Sequence, residues 1–298
     1  MANLKTLKTR IKSVKSTQKM TKAMKMVAAS RLKKAKHAVE LSRPYSDKIN
    51  EMVVEIASNI SVRSTLKEKF PLLTGKGQDI TRLILIMSSD RGLCGGLNSA
   101  TVKYAKNRIS TLITDGYEVK LFCIGKKAYE QLKFHYGDKI SGHIFGIFRN
   151  VINFEIAEEI VAKILTMYNQ NEFDSCEVIY SKFKTAISQE QISKQIIPIP
   201  LNKALIESNN SESPIEYEPN EEEILSKLLP ENLSIQIFNE LLENSASEQG
   251  ARMAAMESAT NNASKMIKNI TLQYNRTRQA NITKELIDII SGANTISN

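Results

Sequence analysis

The sequence predicts an α/β fold in which two long terminal helices pair as a coiled coil and flank a central Rossmann-like α/β domain. Three observations carry this. Turn-forming residues cluster in the middle of the chain, the two ends repeat apolar residues at coiled-coil spacing, and the middle alternates short apolar runs with helical patterns. The 298 residues contain 12 Gly and 7 Pro, about half the average share for a globular protein. Ten of those glycines lie between positions 75 and 146. Collagen-like, Pro/Gly-rich disordered and many-turned β-sandwich chains are thereby excluded. With 42% hydrophobic residues the chain can build a core.

The first arm, over 1–70, starts with Leu4, Leu7, Ile11 and Val14 at spacings of three and four, as a coiled-coil seam requires. Leu32, Ala35 and Val39 resume the stripe, followed by Ile49, Met52, Val53, Ile56 and Ile60. Pro44 is expected to kink or interrupt this helix. The second arm, over 231–298, repeats Met253, Met256, Thr260, Ala263, Ile267, Ile270 and Tyr274, and after a phase slip Ile282, Leu286, Ile289, Ala293 and Ile296. A helix of 50–60 residues is roughly 75–90 Å long, whereas a compact globule of this chain length is roughly 50 Å across. The arms are therefore expected to pair and to project from the central domain, with tips that lose order first when no partner covers them.

Between the arms, over 75–205, Leu83–Met87 reads as a buried parallel strand ending in a Gly-rich turn. A helix follows over Ser99–Thr114, then a turn at Asp115–Gly116, a strand over Val119–Ile124 and a helix from Lys126 to Phe134. Asn153–Asn169 reads as another helix and Glu177–Lys182 as another strand, which implies βαβ units and a largely parallel sheet. An acidic connecting segment, 206–230, completes the organisation. Eight Glu face a single Lys, Lys227, between Leu205 and Glu231.

Charge is distributed unevenly. Residues 1–40 carry 12 Lys/Arg and one acid, Glu40, whereas the other 258 carry 29 bases and 31 acids. Lys5, Lys8, Lys12, Lys15, Lys19 and Lys22 flank the first apolar seam. Three partners suit such a stripe: nucleic-acid phosphates, an anionic membrane surface or an acidic protein. Residues 1–44 hold no aromatic side chain to stack on bases, which weakens the first reading.

The middle offers few residues for chemistry. Ser88–Asn98 (SSDRGLCGGLN) sits where a strand hands over to a helix, yet lacks GxGxxG spacing. Its glycines are expected to let strand and helix pack closely. Gly75-Lys76-Gly77 is not a phosphate-binding P-loop. His37, His135 and His143 have no ligand-spaced carboxylates, and Cys94, Cys123 and Cys176 form no CxxC pair. No catalytic residue, cofactor site or metal site is expected, no stretch is apolar enough to span a membrane, and the default compartment is reducing.

Two long segments, Ile11–Arg31 and Gly250–Ala263 together with Tyr274–Ala293, resemble the terminal helices of the gamma subunit of rotary ATP synthases. Ser88–Asn98 is similar to that family's central turn. The resemblance implies a non-catalytic rotor shaft whose terminal helices form an antiparallel coiled coil inside a hexamer of alpha and beta subunits. It implies further contacts with the epsilon subunit and the membrane c-ring, no nucleic acid, and membrane association only through the complex. The location implied is the cytoplasmic face of a bacterial inner membrane, or the matrix or stromal face of an organelle. Carried over residue by residue, Met24 and Lys25 fall at the moving beta-subunit lever, with Arg252 on the facing helix. Arg278, Gln279 and Thr283 fall at a beta-subunit catch loop, with Glu285 and Asp288 nearby, where the apolar seam lapses at Thr277–Gln279. Tyr217 and Glu218 fall near the ring and epsilon. Lys25 stands where many relatives carry an acid.

Overall fold

The computed structural model describes residues 4–61, 69–149, 151–200 and 221–296. Its contacts divide the chain into a helical unit, Met1–Ala28 with Met253–Asn298, and a sheet unit, Ala29–Arg252. The terminal helices are α1, Leu4–Ser61, and α6, Glu221–Ile296. Between them lie α2 (Pro71–Thr74), β1 (Thr81–Met87), α3 (Leu97–Thr114), β2 (Glu118–Ile124), α4 (Lys126–Tyr136), β3 (Ile140–Ile144), α5 (Phe154–Asn169), β4 (Ser175–Phe183) and β5 (Gln189–Ile197).

In the sheet unit the five strands run in the order β3-β2-β1-β4-β5. The β1 strand pairs in parallel with β2 and β4, β2 pairs in parallel with β3, and β5 runs antiparallel to β4. The strands expected over 83–87, 119–124 and 177–182 are present within one or two residues. The sequence reading missed β3 and β5. Both are edge strands in which most residues are only partly buried, and neither carries the long apolar run that marks a strand buried on both faces.

Alternation along β1 builds two cores. Leu83, Leu85 and Met87 face one side with Phe122, Val178 and the α5 residues Ile160 and Ile164. Ile84 and Ile86 face the other with Leu121, Ile109 of α3 and Leu132 of α4. The first core also takes Val39, Ile49, Val53 and Ile56 of α1, and Leu225, Leu229, Leu233, Ile237 and Leu241 of α6. The second half of α1 and the first half of α6 thus belong to the globular core, which corrects the expectation that whole arms stand clear of it. An apolar helix face buries most area where a sheet is available to cover it.

Two further differences concern helix limits. Pro44 does not break α1; it removes one amide donor on an exposed face, and packing on both sides holds the helix together. In α6, Pro230 is likewise internal, and the helix starts at Glu221, so the last ten residues of the expected acidic segment are helical.

Candidate functional site

In the helical unit, α1 turns Leu4, Leu7, Ile11, Val14, Gln18, Thr21, Lys25 and Ala28 inward, an unbroken alternation of three and four residues. The opposing face of α6 presents Met253, Met256, Thr260, Ala263, Ile267, Ile270 and Tyr274, as its spacing predicted. The helices run antiparallel, because partners fall in number on α6 as they rise on α1. Gln18 Nε2 donates to Ser264 Oγ at 2.6 Å, Thr21 Oγ1 lies 2.7 Å from Thr260 Oγ1, and Lys25 Nζ donates to Glu257 Oε1 at 2.6 Å. The apparent gap after Val14 is therefore a polar layer in continuous register. Ser264 and Thr260 donate their own protons to the carbonyls of Thr260 and Met256, so this layer has no orphan hydroxyl.

The residues assigned to contacts divide into two kinds. Lys25 points along the seam to Glu257 and forms an ion pair within its own unit, whereas Met24 is exposed beside it. From Arg278 to Ser291 every α6 residue is exposed, including Gln279, Thr283, Glu285 and Asp288. Within that stretch Thr283 only turns back to the carbonyl of Gln279. Ile282, Leu286 and Ile289 do not extend the seam: they are 47%, 55% and 67% exposed. Antiparallel pairing explains this, since the described part of α1 starts at Leu4, which the register places opposite Arg278. Tyr217 and Glu218 lie outside the described residues.

In the sheet unit, the Gly-rich turn after β1 lies at the carboxyl end of the strand where the sheet order reverses, a place where open α/β sheets bind ligands. Here the turn is tied up by its own side chains. Asp90 accepts the amides of Gly146 (2.8 Å) and Phe148 (3.0 Å). Asn98 accepts the Ser89 amide and donates to Ser89 Oγ and Cys94 Sγ. The close approach expected of its glycines occurs elsewhere. A Cβ on Gly92 or Gly96 would meet nothing, whereas one on Gly125 would sit 2.0 Å from the Ser88 carbonyl oxygen.

Arg252, assigned by resemblance to an outward contact, belongs to this turn. Its guanidinium donates to the Gly92 carbonyl at 3.1 Å and to Glu248 Oε1 at 2.6 Å. Glu248 is one of a ridge of buried polar residues that sequence reasoning missed: Asn232, Gln236, Glu240, Asn244 and Glu248, spaced four apart on α6. The signal was present, since these positions stay polar while Leu229, Leu233, Ile237 and Leu241 stay apolar. The ridge binds the helix to its surroundings: Asn232 donates to Asn50 Oδ1, Asn244 accepts the Ser181 amide, and Ser247 nearby donates to the Ser181 carbonyl. Burial raises the carboxyl of Glu248 against the opposing pull of Arg252, with Asp90 adding to the rise.

A family model described as ATP synthase matches residues 3–296. The ATP synthase gamma chain of Pelagibacter ubique is 48% identical over 297 residues, covering 99% of this chain and all of that one. The chain belongs to the ATP synthase gamma-chain family. The gamma chain of Rhodospirillum rubrum is 46% identical over 302 residues with the same coverage. Among solved structures, a chain of the Tetrahymena thermophila mitochondrial ATP synthase central stalk and c-ring is 29% identical over 80% of this chain and 99% of its own, with a TM-score of 0.59. A chain of the Euglena gracilis mitochondrial ATP synthase shares the fold with a TM-score of 0.67 over 98% of this chain, at 19% identity. In this family the long helices and the mixed sheet are the expected architecture. No helix among the described residues is long and apolar enough to cross a membrane.

Proposed function

We propose that this chain is the central rotor shaft of an ion-translocating ATP synthase, a non-catalytic subunit that couples rotation of a membrane c-ring to conformational change in an alpha/beta hexamer. The observation that carries this reading is gamma-chain identity over essentially the full length of both proteins. The geometry supports it. A shaft needs a surface that differs from side to side, so that three chemically identical catalytic sites meet different faces at any instant. The helical unit has such a surface: a lysine flank on α1, an exposed Met24, and on α6 an exposed run from Arg278 to Ser291 that mixes polar and apolar residues.

In this reading Arg278, Gln279 and Thr283 offer hydrogen bonds to the hexamer, with Glu285 and Asp288 beside them, and Met24 rides against the moving lever. Lys25 and Arg252 act differently from the outward contacts first expected. Lys25 secures the helix pair through Glu257, and Arg252 secures the Gly-rich turn through Gly92. The epsilon subunit and the ring bind the sheet unit, with Tyr217 and Glu218 as contact residues, and the assembly sits on the cytoplasmic, matrix or stromal side of the membrane.

The test is reconstitution with alpha, beta, epsilon and ring subunits in vesicles, with ATPase rate and ion pumping measured on one preparation. Arg278→Ala with Gln279→Ala removes two exposed groups and is expected to lower turnover several-fold while assembly stays intact. Loss of assembly in proportion to activity, at an unchanged ratio of pumping to hydrolysis, would reduce the chain to a passive scaffold.

A further inference from the structure

A cavity of about 480 Å³ lies in the sheet unit between α1, α6 and strands β4 and β5. Glu240 on its wall is 3% exposed, and its Oε2 has no hydrogen-bond partner. Lys194 of β5 lies 3.1 Å from Glu240 Oε1 as an ion pair, and the lysine side chain is 41% exposed. A buried carboxylate ordinarily collects several donors; this one has a single, partly exposed cation on the cavity wall.

We propose that Glu240 is a proton-controlled latch between β5 and α6, closed onto Lys194 when the carboxylate is ionised and released when it takes up a proton. The other charged groups at the cavity settle which partner matters. Arg43 of α1 is engaged with Glu243 on α6, and Asp47 of α1 and Lys182 of β4 line the wall. Tyr180 and Cys176 of β4 are neutral neighbours, each held well above its ordinary pKa by burial, with the charge of Glu240 adding to that rise. Burial raises the Glu240 carboxyl to about 7, and Lys194 is the opposing influence. Near neutrality the latch therefore divides between its two states. Because the folded carboxyl binds its proton more tightly than the unfolded one, Glu240 makes the folded state lose stability as pH rises from the ordinary carboxylate range through about 7. The pairing with Lys194 limits that loss. None of this depends on the rotor reading, so the test uses the full chain alone.

The unfolding constant is measured by urea titration from pH 5 to 8 for the wild type, Glu240→Gln and Lys194→Met. Across that range the wild-type constant should rise roughly tenfold or more relative to that of Glu240→Gln. Lys194→Met should move the transition to higher pH. Parallel pH profiles for the wild type and Glu240→Gln would overturn the proposal, and so would an unmoved transition in Lys194→Met. Should Glu240→Gln fail to fold, the carboxyl carbon resonance of Glu240 in the wild type gives the answer directly. A midpoint near neutrality supports the latch, and one below pH 5 overturns it.

Discussion

Helices α1 and α6 meet in both units with the same antiparallel register and with different chemistry between them. In the sheet unit their facing residues sink into a core shared with β1, β2 and β4, and Val53 and Ile56 are fully buried. In the helical unit, among the described residues, they meet only each other, and the seam carries Gln18, Thr21 and Lys25 opposite Ser264, Thr260 and Glu257. A helix packed on a sheet is held by apolar area. A bare pair has less area to bury, and directional bonds across a polar layer fix its register, much as a single buried polar residue does in a coiled coil. Hydrogen bonds cross between the helices in both units, as Asn232 to Asn50 does in the sheet unit; what differs is the sheet core that buries one stretch of each helix.

The comparison can be broken first at the sheet. Gly125 has a φ of +94°, and a Cβ there would lie 2.0 Å from a backbone oxygen. Gly125→Ala should therefore cost at least about 4 kcal/mol or prevent folding, as read by urea unfolding. Ile56→Ala should cost about 2–5 kcal/mol, because the sheet prevents the site from collapsing onto the cavity. If thermal unfolding of Ile56→Ala is indistinguishable from wild type, α1 is not anchored through the sheet core.

The helical unit should respond more gently. Thr21→Val leaves Thr260 facing a methyl group and should cost about 1 kcal/mol. The double change with Thr260→Val should cost less than the two single changes together, since removing both partners leaves no orphan. A double-mutant cycle on the full chain measures this, and strict additivity would mean that the hydroxyls do not interact. Smallest of all should be Lys25→Met. Lys25 and Glu257 are both substantially exposed, at 37% and 51% of their side-chain surfaces, so the pair contributes between 0 and about 1 kcal/mol and should fade in high salt.

Much of the architecture could be read locally. The spacing of Leu4, Leu7, Ile11 and Val14, the run Leu83–Met87 and the turn at Asp115–Gly116 each follow from backbone geometry acting over a few residues, and the structure keeps them. Resemblance across Ile11–Arg31, Gly250–Ala263 and Tyr274–Ala293 carried the family, because long specific segments in the right order do not recur by chance.

The remainder depended on what packs against what. Periodicity marks Met24 and Lys25 as neighbours, but only the facing helix decides that Lys25 meets Glu257 while Met24 stays outside. Spacing suggested that Ile282 and Leu286 continue the seam; the antiparallel register places them beyond the described part of α1, and they are exposed. The edge strands β3 and β5 lack a local signature, since what makes them strands is the neighbour that pairs with them. The same holds for the ridge from Asn232 to Glu248. A polar residue every fourth position reads as a solvated face until a sheet is laid over it. Local chain geometry therefore determined which segments became helices or core strands, and resemblance of long segments gave the family. Long-range packing decided what each face meets and where the seam stops, because burial is a property of two surfaces and the sequence displays one at a time.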